Sequence, residues 1–475
     1  MSDQVAALAL QVQLASFHGP VLPAEWARLL DEGLGGICLF GSNLTGAGAD
    51  AVALIASIRA HRAGALVAID EEGGDVTRLH VGDASPVPGP AVLGAVDDLA
   101  LTEAVGVAVG QELAALGVDL VLGPVADVNS NPDNPVIGTR SFGADPALVG
   151  RHVAAWLAGL QATGVAACVK HFPGHGDTAQ DSHLTLPVLD ASAATVRQRE
   201  LVPFAAAVAA GTAAVMTSHL MVPALDPDLP ATMSEPILSL LRSELEYDGV
   251  VVSDALDMAG ASAGRGIPAA AVLALAAGAD LLCLGSDKDP SLVREVQAAI
   301  EEAVRSGQLP LGRLAEAAAR VADLPRGSRA ADPPRLPDPF DPFEQTDFVA
   351  AARAALVVEG TLPDLGGARI VSIASEANIA VGEGRWGVVA DLVVAEGDAV
   401  PDGPVVVQVR DAHRRPGVAA MLAAVSGPAV VVEWGWPGPR TGWTSSPHAR
   451  ICTRGNSRPS ITAVEELLEK AGWTR

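Results

Sequence analysis

One pattern recurs along the first two thirds of the chain: an Ala-rich helical end, a Gly, then a short Val/Leu-rich run. It appears as LLDEGLGGICLF, RAHRAGALVAID, LAALGVDLVLGPVADV, LQATGVAACVKHF, VAAGTAAVMTSHL and LAAGADLLCLG, with YDGVVVSDAL as a variant. A Gly suits the point where a helix stops in a left-handed conformation. The runs that follow are continuously apolar, as strands buried on both faces should be. In the segments between them, Val105, Val109, Leu113 and Leu116 share one helical face, as do Val149, Val153, Trp156 and Leu160. Seven such strands, roughly 30 to 50 residues apart, describe β/α units. QVQLASF near the start supplies an eighth. The pattern predicts a (β/α)8 TIM-type barrel, with a doubly wound open sheet as the alternative topology.

A chain of 475 residues exceeds one typical domain. In LPRGSRAADPPRLPDPFDPF, proline and charge replace the helical pattern. After it come ARIVSIAS, GPVVVQVR and GPAVVVEWGW, three strands among short helical stretches, and a final helix from about Thr462. The expected organisation is a barrel over 1–325, a Pro-rich linker over 326–345 and a smaller α/β domain over 346–475. Trp434, Trp436 and Trp443 in WGWPGPRTGW fit either a sugar-stacking platform or packing at the domain interface, and packing is the plainer reading. Cys452 and the segment Glu465–Lys470 read as surface loop and helix.

The balance of charge narrows the partners. A formal charge of −25 repels phosphate backbones and anionic lipid. Nucleic acid and membrane surfaces are therefore not expected as partners, and the longest apolar runs fall short of the roughly 20 residues that span a bilayer. MSDQVAALALQVQLASF lacks a basic segment and reads as the first turn of the fold. Cys38, Cys168 and Cys283 sit in apolar strand-like runs, where a free thiol acts as a small hydrophobe. No cysteine spacing suggests a metal clamp or a disulfide framework. A cytoplasmic protein, monomeric or a weak homo-oligomer, is expected.

Polar residues collect where the strands end: Asp70-Glu71-Glu72, Asp127, Lys170-His171, Ser218-His219 and Asp254. In a barrel the active site lies at that carboxyl-terminal face. The segment KHFPGHGDTAQDSHLTLP, residues 170 to 187, has three readings. A zinc site would draw on His171, His175, Asp177 and His183, although Pro173, Gly174 and Gly176 forbid a helix that would set the His pair. A polar loop satisfying its own backbone is the bland reading, and it suits His175 and Asp177 best. The third is an acid/base device. Residues two apart in an extended backbone project to one side, so the Asp181 carboxylate can reach the His183 ring, raise its pKa and fix its tautomer. Such an acid needs a carboxylate partner at the reacting carbon, and Asp254 at the end of GVVVSD is placed for it.

Four segments carry a resemblance: KHFPGHGDTAQDSH, SDALDM at 253 to 258, IDEEGGDVTR at 69 to 78 and NPVIGTRSFG at 134 to 143. Spread along residues 69 to 258 in the chain order 69–78, 134–143, 170–183 and 253–258, they resemble the bacterial β-N-acetylglucosaminidases of glycoside hydrolase family 3. The resemblance covers the barrel and says less about the last domain. It implies retaining, two-step hydrolysis of a small saccharide, with no metal and no cofactor. Asp254 matches the nucleophile, and His183 supported by Asp181 matches the acid/base in place of the usual carboxylic acid. Asp70, Arg78, Arg140, Lys170 and His171 match positions that hold sugar hydroxyls. Because a histidine acid does not repel an anion, phosphate could replace water, so a phosphorylase is the alternative, and a metal-dependent hydrolase ranks below both. Gly174 and Gly176 are expected to serve as hinges on which the loop swings, leaving His183 away from Asp254 in a ligand-free structure. Two positions depart from the pattern: Glu71 where relatives usually carry Gln, and Asp75 where they usually carry Arg. Both are expected to add negative charge beside the sugar subsite.

Overall fold

The computed structural model describes residues 2–44, 48–181, 185–262, 264–326, 345–375, 380–382, 384–440, 442–443 and 448–475. Eight strands form the first sheet: β1 Gln13–Ala15, β2 Gly36–Leu39, β3 Leu66–Ile69, β4 Leu120–Val121, β5 Ala166–Phe172, β6 Ala214–Thr217, β7 Val250–Val252 and β8 Leu282–Cys283. Their order is β7-β6-β5-β4-β3-β2-β1-β8, every neighbouring pair being parallel. A parallel bridge between Val252 and Leu281 joins the two ends, and the Ser253 N–H donates to the Leu281 carbonyl at 2.9 Å. The sheet is therefore a barrel, and the open-sheet alternative falls.

The apolar runs have the two buried faces that their composition required. Leu14, Cys38, Leu66, Leu120, Cys168, Met216 and Val252 fill the interior, together with Val321 and Leu324 at the end of helix Leu311–Asp323. Val67, Ile69, Val121, Val169, Val215 and Val251 face outward and meet the helices. Helices Leu99–Leu116 and Pro146–Ala162 pack closely because each carries glycine at the crossing. A Cβ on Gly106 would lie 2.2 Å from the Trp156 carbonyl oxygen, and one on Gly159 would lie 2.1 Å from that of Glu103. Helix Leu99–Leu116 is, by length and composition, apolar enough to cross a membrane, contrary to the expectation that no run is long enough. Its Val105, Val109 and Leu113 are buried in the barrel core, which accounts for the apolarity.

A second sheet follows: β9 Val357–Glu359, β10 Arg369–Ile373, β11 Leu392–Val394, β12 Val405–Val409, β13 Ala429–Glu433 and β14 Ala449–Cys452. Its order is β11-β10-β12-β13-β14-β9, parallel except for β9 against β14. Helix Pro416–Ala424 covers one face, while helix Arg458–Lys470 covers the other. The Pro-rich stretch expected over 326–345 lies almost wholly outside the described residues. Cys452 corrects its sequence reading: it is fully buried in β14. Trp434 and Trp443 are fully buried in separate clusters, and Trp436 lies against Gly138 of the barrel, so the three make no common platform.

Candidate active site

Strand ends bring the polar residues to one face, and the buried thiols beneath them register that convergence. Burial pushes the Cys168 thiol up; Asp70 and Asp254 push it further while Lys170 opposes them. Cys283, also buried, feels Asp254 and Asp70 as well.

The centre of the face is a chain of buried charges. Lys170 Nζ, at the end of β5, lies 2.7 Å from Asp70 Oδ1 and 2.7 Å from Glu72 Oε1. Arg140 grips Glu72 through Nε at 2.9 Å and Nη2 at 2.7 Å. Arg78 Nη2 stands 3.6 Å from Asp70 Oδ2. Burial would neutralise the carboxyls, but the cations win. Lys170 and Arg78 hold Asp70 below the ordinary aspartate range, and Arg140 and Lys170 hold Glu72 far below its own. Lys170 is itself raised despite burial, through Asp70 and Glu72. Asp70, Glu72, Lys170 and Arg140 are thus ionised at neutral pH, giving a set of donors and acceptors fixed before any ligand arrives.

Asp127, after β4, organises the next layer. Its Oδ2 accepts from His171 Nδ1 at 2.7 Å, and its Oδ1 accepts the His175 N–H at 2.7 Å. With Nδ1 donating, His171 turns Nε2 to Arg140 Nη2 at 3.5 Å. Against burial, His171 and the N–H and ring of His175 hold the Asp127 carboxyl below its ordinary range, and Asp127 in turn helps to raise Arg140. His175 Nδ1 bonds Thr178 Oγ1 at 2.9 Å, and burial pushes its ring down to about 4.

The two glycines expected as hinges lie in a closely packed, hydrogen-bonded stretch. A Cβ on Gly176 would meet the Val128 carbonyl oxygen at 1.9 Å, and one on Gly174 would meet Glu200 Oε2 at 2.7 Å. Asn134 Nδ2 donates to the His175 carbonyl at 2.8 Å, and Arg199 Nη2 holds Asp177 at 2.5 Å. These glycines permit close approach. The backbone turns tightly between β5 and Thr178, and the sequence alone showed only that glycine was present.

Asp181 follows on the wall of a cleft of about 870 Å³, beside Arg140 and opposite Arg410, Arg414 and Trp434 of the second domain. His183 lies outside the described residues. Asp254 is half-buried just past β7; its Oδ1 accepts the Ala255 N–H at 2.8 Å. His219 braces that turn, with Nε2 on the Ala255 carbonyl at 3.0 Å and Nδ1 on Thr232 at 2.9 Å. Asp254, Asp70 and Lys170 are not among the residues lining the cleft, which belongs to the space beyond Arg140 and Asp181.

The structure therefore joins Asp70, Arg78, Arg140, Lys170 and His171 into one network. It sets Asp181 and Asp254 on the same face and adds Glu72 and Asp127, which were noticed in the sequence but given no role. Asp75 and Glu71 are held by partners of their own. Asp75 turns to the second domain, where Arg410 Nη2 lies 2.9 Å from Oδ1, and Thr139 donates to Oδ2 at 2.6 Å. Glu71 folds back on its own loop, Oε2 accepting the N–H groups of Arg78 at 2.8 Å and Leu79 at 3.2 Å. Asp75, so paired, also lines the cleft with Arg140 and Asp181, whereas Glu71 does not.

Comparison with known proteins agrees with this geometry. The glycosyl hydrolase family 3 N terminal domain matches residues 11–324. A β-hexosaminidase from Chromobacterium violaceum is 38% identical over 353 residues, 73% of this chain and 92% of the relative. The β-hexosaminidase A of Pseudoalteromonas piscicida is 33% identical over 386 residues, 74% of this chain; the match spans 64% of that longer relative. Among solved structures, a family 3 β-N-acetylglucosaminidase from Paenibacillus sp. str. FPU-7 superposes with a TM-score of 0.87 at 29% identity, covering 98% of this chain and 96% of that one. Both the barrel and the second domain are thus similar to a known two-domain arrangement, and the chain belongs to glycosyl hydrolase family 3 and is a glycoside hydrolase.

Proposed function

We propose that the chain is a retaining, exo-acting β-N-acetylglucosaminidase that removes terminal β-linked N-acetylglucosamine from small saccharides. The observation that carries this reading is the ionised chain Asp70–Lys170–Glu72–Arg140 on the barrel face that also holds the Asp254 carboxylate. A sugar ring presents hydroxyls that need charged donors and acceptors, and its oxocarbenium-like carbon needs an anion beside it. The names carried by the relatives support the same sugar. In the first step Asp254 bonds the anomeric carbon as the bond to the leaving oxygen breaks, and His183, oriented by Asp181, gives that oxygen a proton. In the second, His183 takes a proton from water as the water oxygen displaces Asp254.

The test is turnover of 4-nitrophenyl β-N-acetylglucosaminide in phosphate buffer, with the sugar product identified by NMR. Free β-configured N-acetylglucosamine from the wild type, and none from Asp254→Ala, is the expected result. The 1-phosphate would reassign the enzyme as a phosphorylase on the same residues. No product would remove the N-acetylglucosaminide assignment.

A further inference from the structure

The second domain touches the barrel at the segment that carries Arg78. Arg78 Nη2 donates to the Ala380 carbonyl at 2.9 Å and Nη1 to that of Val381 at 3.2 Å, while Nη2 stands farther, 3.6 Å, from Asp70. Three residues earlier, Asp75 receives Arg410 Nη2 at 2.9 Å and the Asn456 N–H at 3.3 Å. The Arg410 guanidinium lies over the Trp386 ring, 5.1 Å from its centroid. The Arg385 N–H to the Val81 carbonyl at 3.1 Å and the Arg458 N–H to the Ser85 carbonyl at 2.8 Å extend the seam. The Asp75 and Arg410 side chains are 6% and 16% exposed, so this ion pair is shielded from water and its loss would leave a buried charge unmatched.

We propose that Arg410, on the second domain, is a positioning residue for the barrel's sugar subsite. Arg410 clamps Asp75 and thereby sets the loop from Glu71 to Arg78. The carbonyls of Ala380 and Val381 then fix the Arg78 guanidinium at the edge of Asp70. Arg410 acts on substrate only through Arg78, so its removal weakens binding more than the chemical step. Asp75 gains a reason of its own here: an Arg at this position would face Arg410. The inference rests on the proposed function through the role of Arg78 at the sugar.

The experiment measures kcat and KM on 4-nitrophenyl β-N-acetylglucosaminide, with thermal unfolding alongside, for Arg410→Gln, Asp75→Asn, the double variant and Arg410→Lys. The expected result is a KM raised about tenfold in each single neutralising variant with kcat within about threefold. The double variant should be no worse than the poorer single variant, as coupled partners require. Arg410→Lys should recover most of the loss, which a purely structural role would not predict from melting temperature alone. Should Arg410→Gln fail to fold, Asp75→Asn, which keeps the volume and the Thr139 contact, carries the same reading. Unchanged KM in the folded variants, or additive losses in the double, would overturn the inference while leaving the activity intact. A wild type without turnover would instead sink the proposed function, and the inference with it.

Discussion

Three acidic side chains within five residues of one motif meet three different fates. Glu72 is held ionised by Arg140 and Lys170, Asp75 is given to the second domain, and Glu71 is buried against its own loop. Burial pushes Glu71 up to about 7, against the pull of His80 and of hydrogen bonds from Thr77 and Arg78. A raised folded-state pKa means that the protonated form is favoured in the fold. Its contribution to stability is fully present below about pH 4.5 and is lost as pH rises through about 7. Glu71→Gln keeps an oxygen that accepts both amides and removes the charge. It should leave the melting temperature unchanged near pH 4.5 and raise it progressively to pH 8, the gain tending to at most about 3 kcal/mol. A pH-independent difference between the two proteins would show that Glu71 does not titrate in the fold. Sequence made Asp70 and Lys170 legible at strand ends, and Arg140 only through the resemblance of NPVIGTRSFG. It did not separate the roles of adjacent Glu71 and Glu72, because which one faces Arg140 is decided by a residue 68 positions away. Asp127 was visible as a polar strand end, but its hold on His171 and His175 depends on β4 and β5 being neighbours.

At the level of elements, legibility followed burial. The eight barrel strands were readable because both faces are apolar and a glycine precedes most of them. In the second sheet, β10, β12 and β13 were readable for the same reason, whereas β9 and β11 are short and partly exposed. The strand β14 escaped because Arg450 interrupts ARIC; the charge is matched by Glu359 Oε1 at 2.6 Å, far away in sequence on β9. The loop after β5 was legible as polar and glycine-rich, whereas the close packing around its glycines was not. Gly176 is the position that decides this. Alanine there forces its Cβ away from the Val128 carbonyl, which should cost about 1–3 kcal/mol of stability and displace the backbone leading to Asp181. We expect kcat/KM to fall at least about tenfold along with the melting temperature. Lowered stability with unaltered turnover would mean that the anchoring of residues 173–178 does not set the position of the acid/base pair.

Across the whole molecule, one helix ties the two domains together. Helix Gln345–Ala355 opens the second domain, packing on helix Arg458–Lys470, and it also packs on helix Pro90–Val96 of the barrel. Phe348 belongs to the barrel's main apolar cluster, and Ala351, Ala352 and Ala355 are buried beside it. A seam that combines this apolar contact with the Asp75–Arg410 pair and the Arg78 hydrogen bonds should make the domains unfold together, since neither can leave without exposing the other's core. Calorimetry of the wild type should then give one transition whose van't Hoff and calorimetric enthalpies agree. Phe348→Ala empties a nearly buried ring from the joint and should cost about 3 kcal/mol. Because the lost contact couples the halves, the variant should also broaden or split the transition, with the first step exposing the Arg78 side of the site and abolishing turnover before the barrel melts. Two separate transitions in the wild type, or a variant that melts lower as a single sharp step, would show that the helix stabilises the second domain alone and leaves the barrel's fold and sugar subsite independent of it.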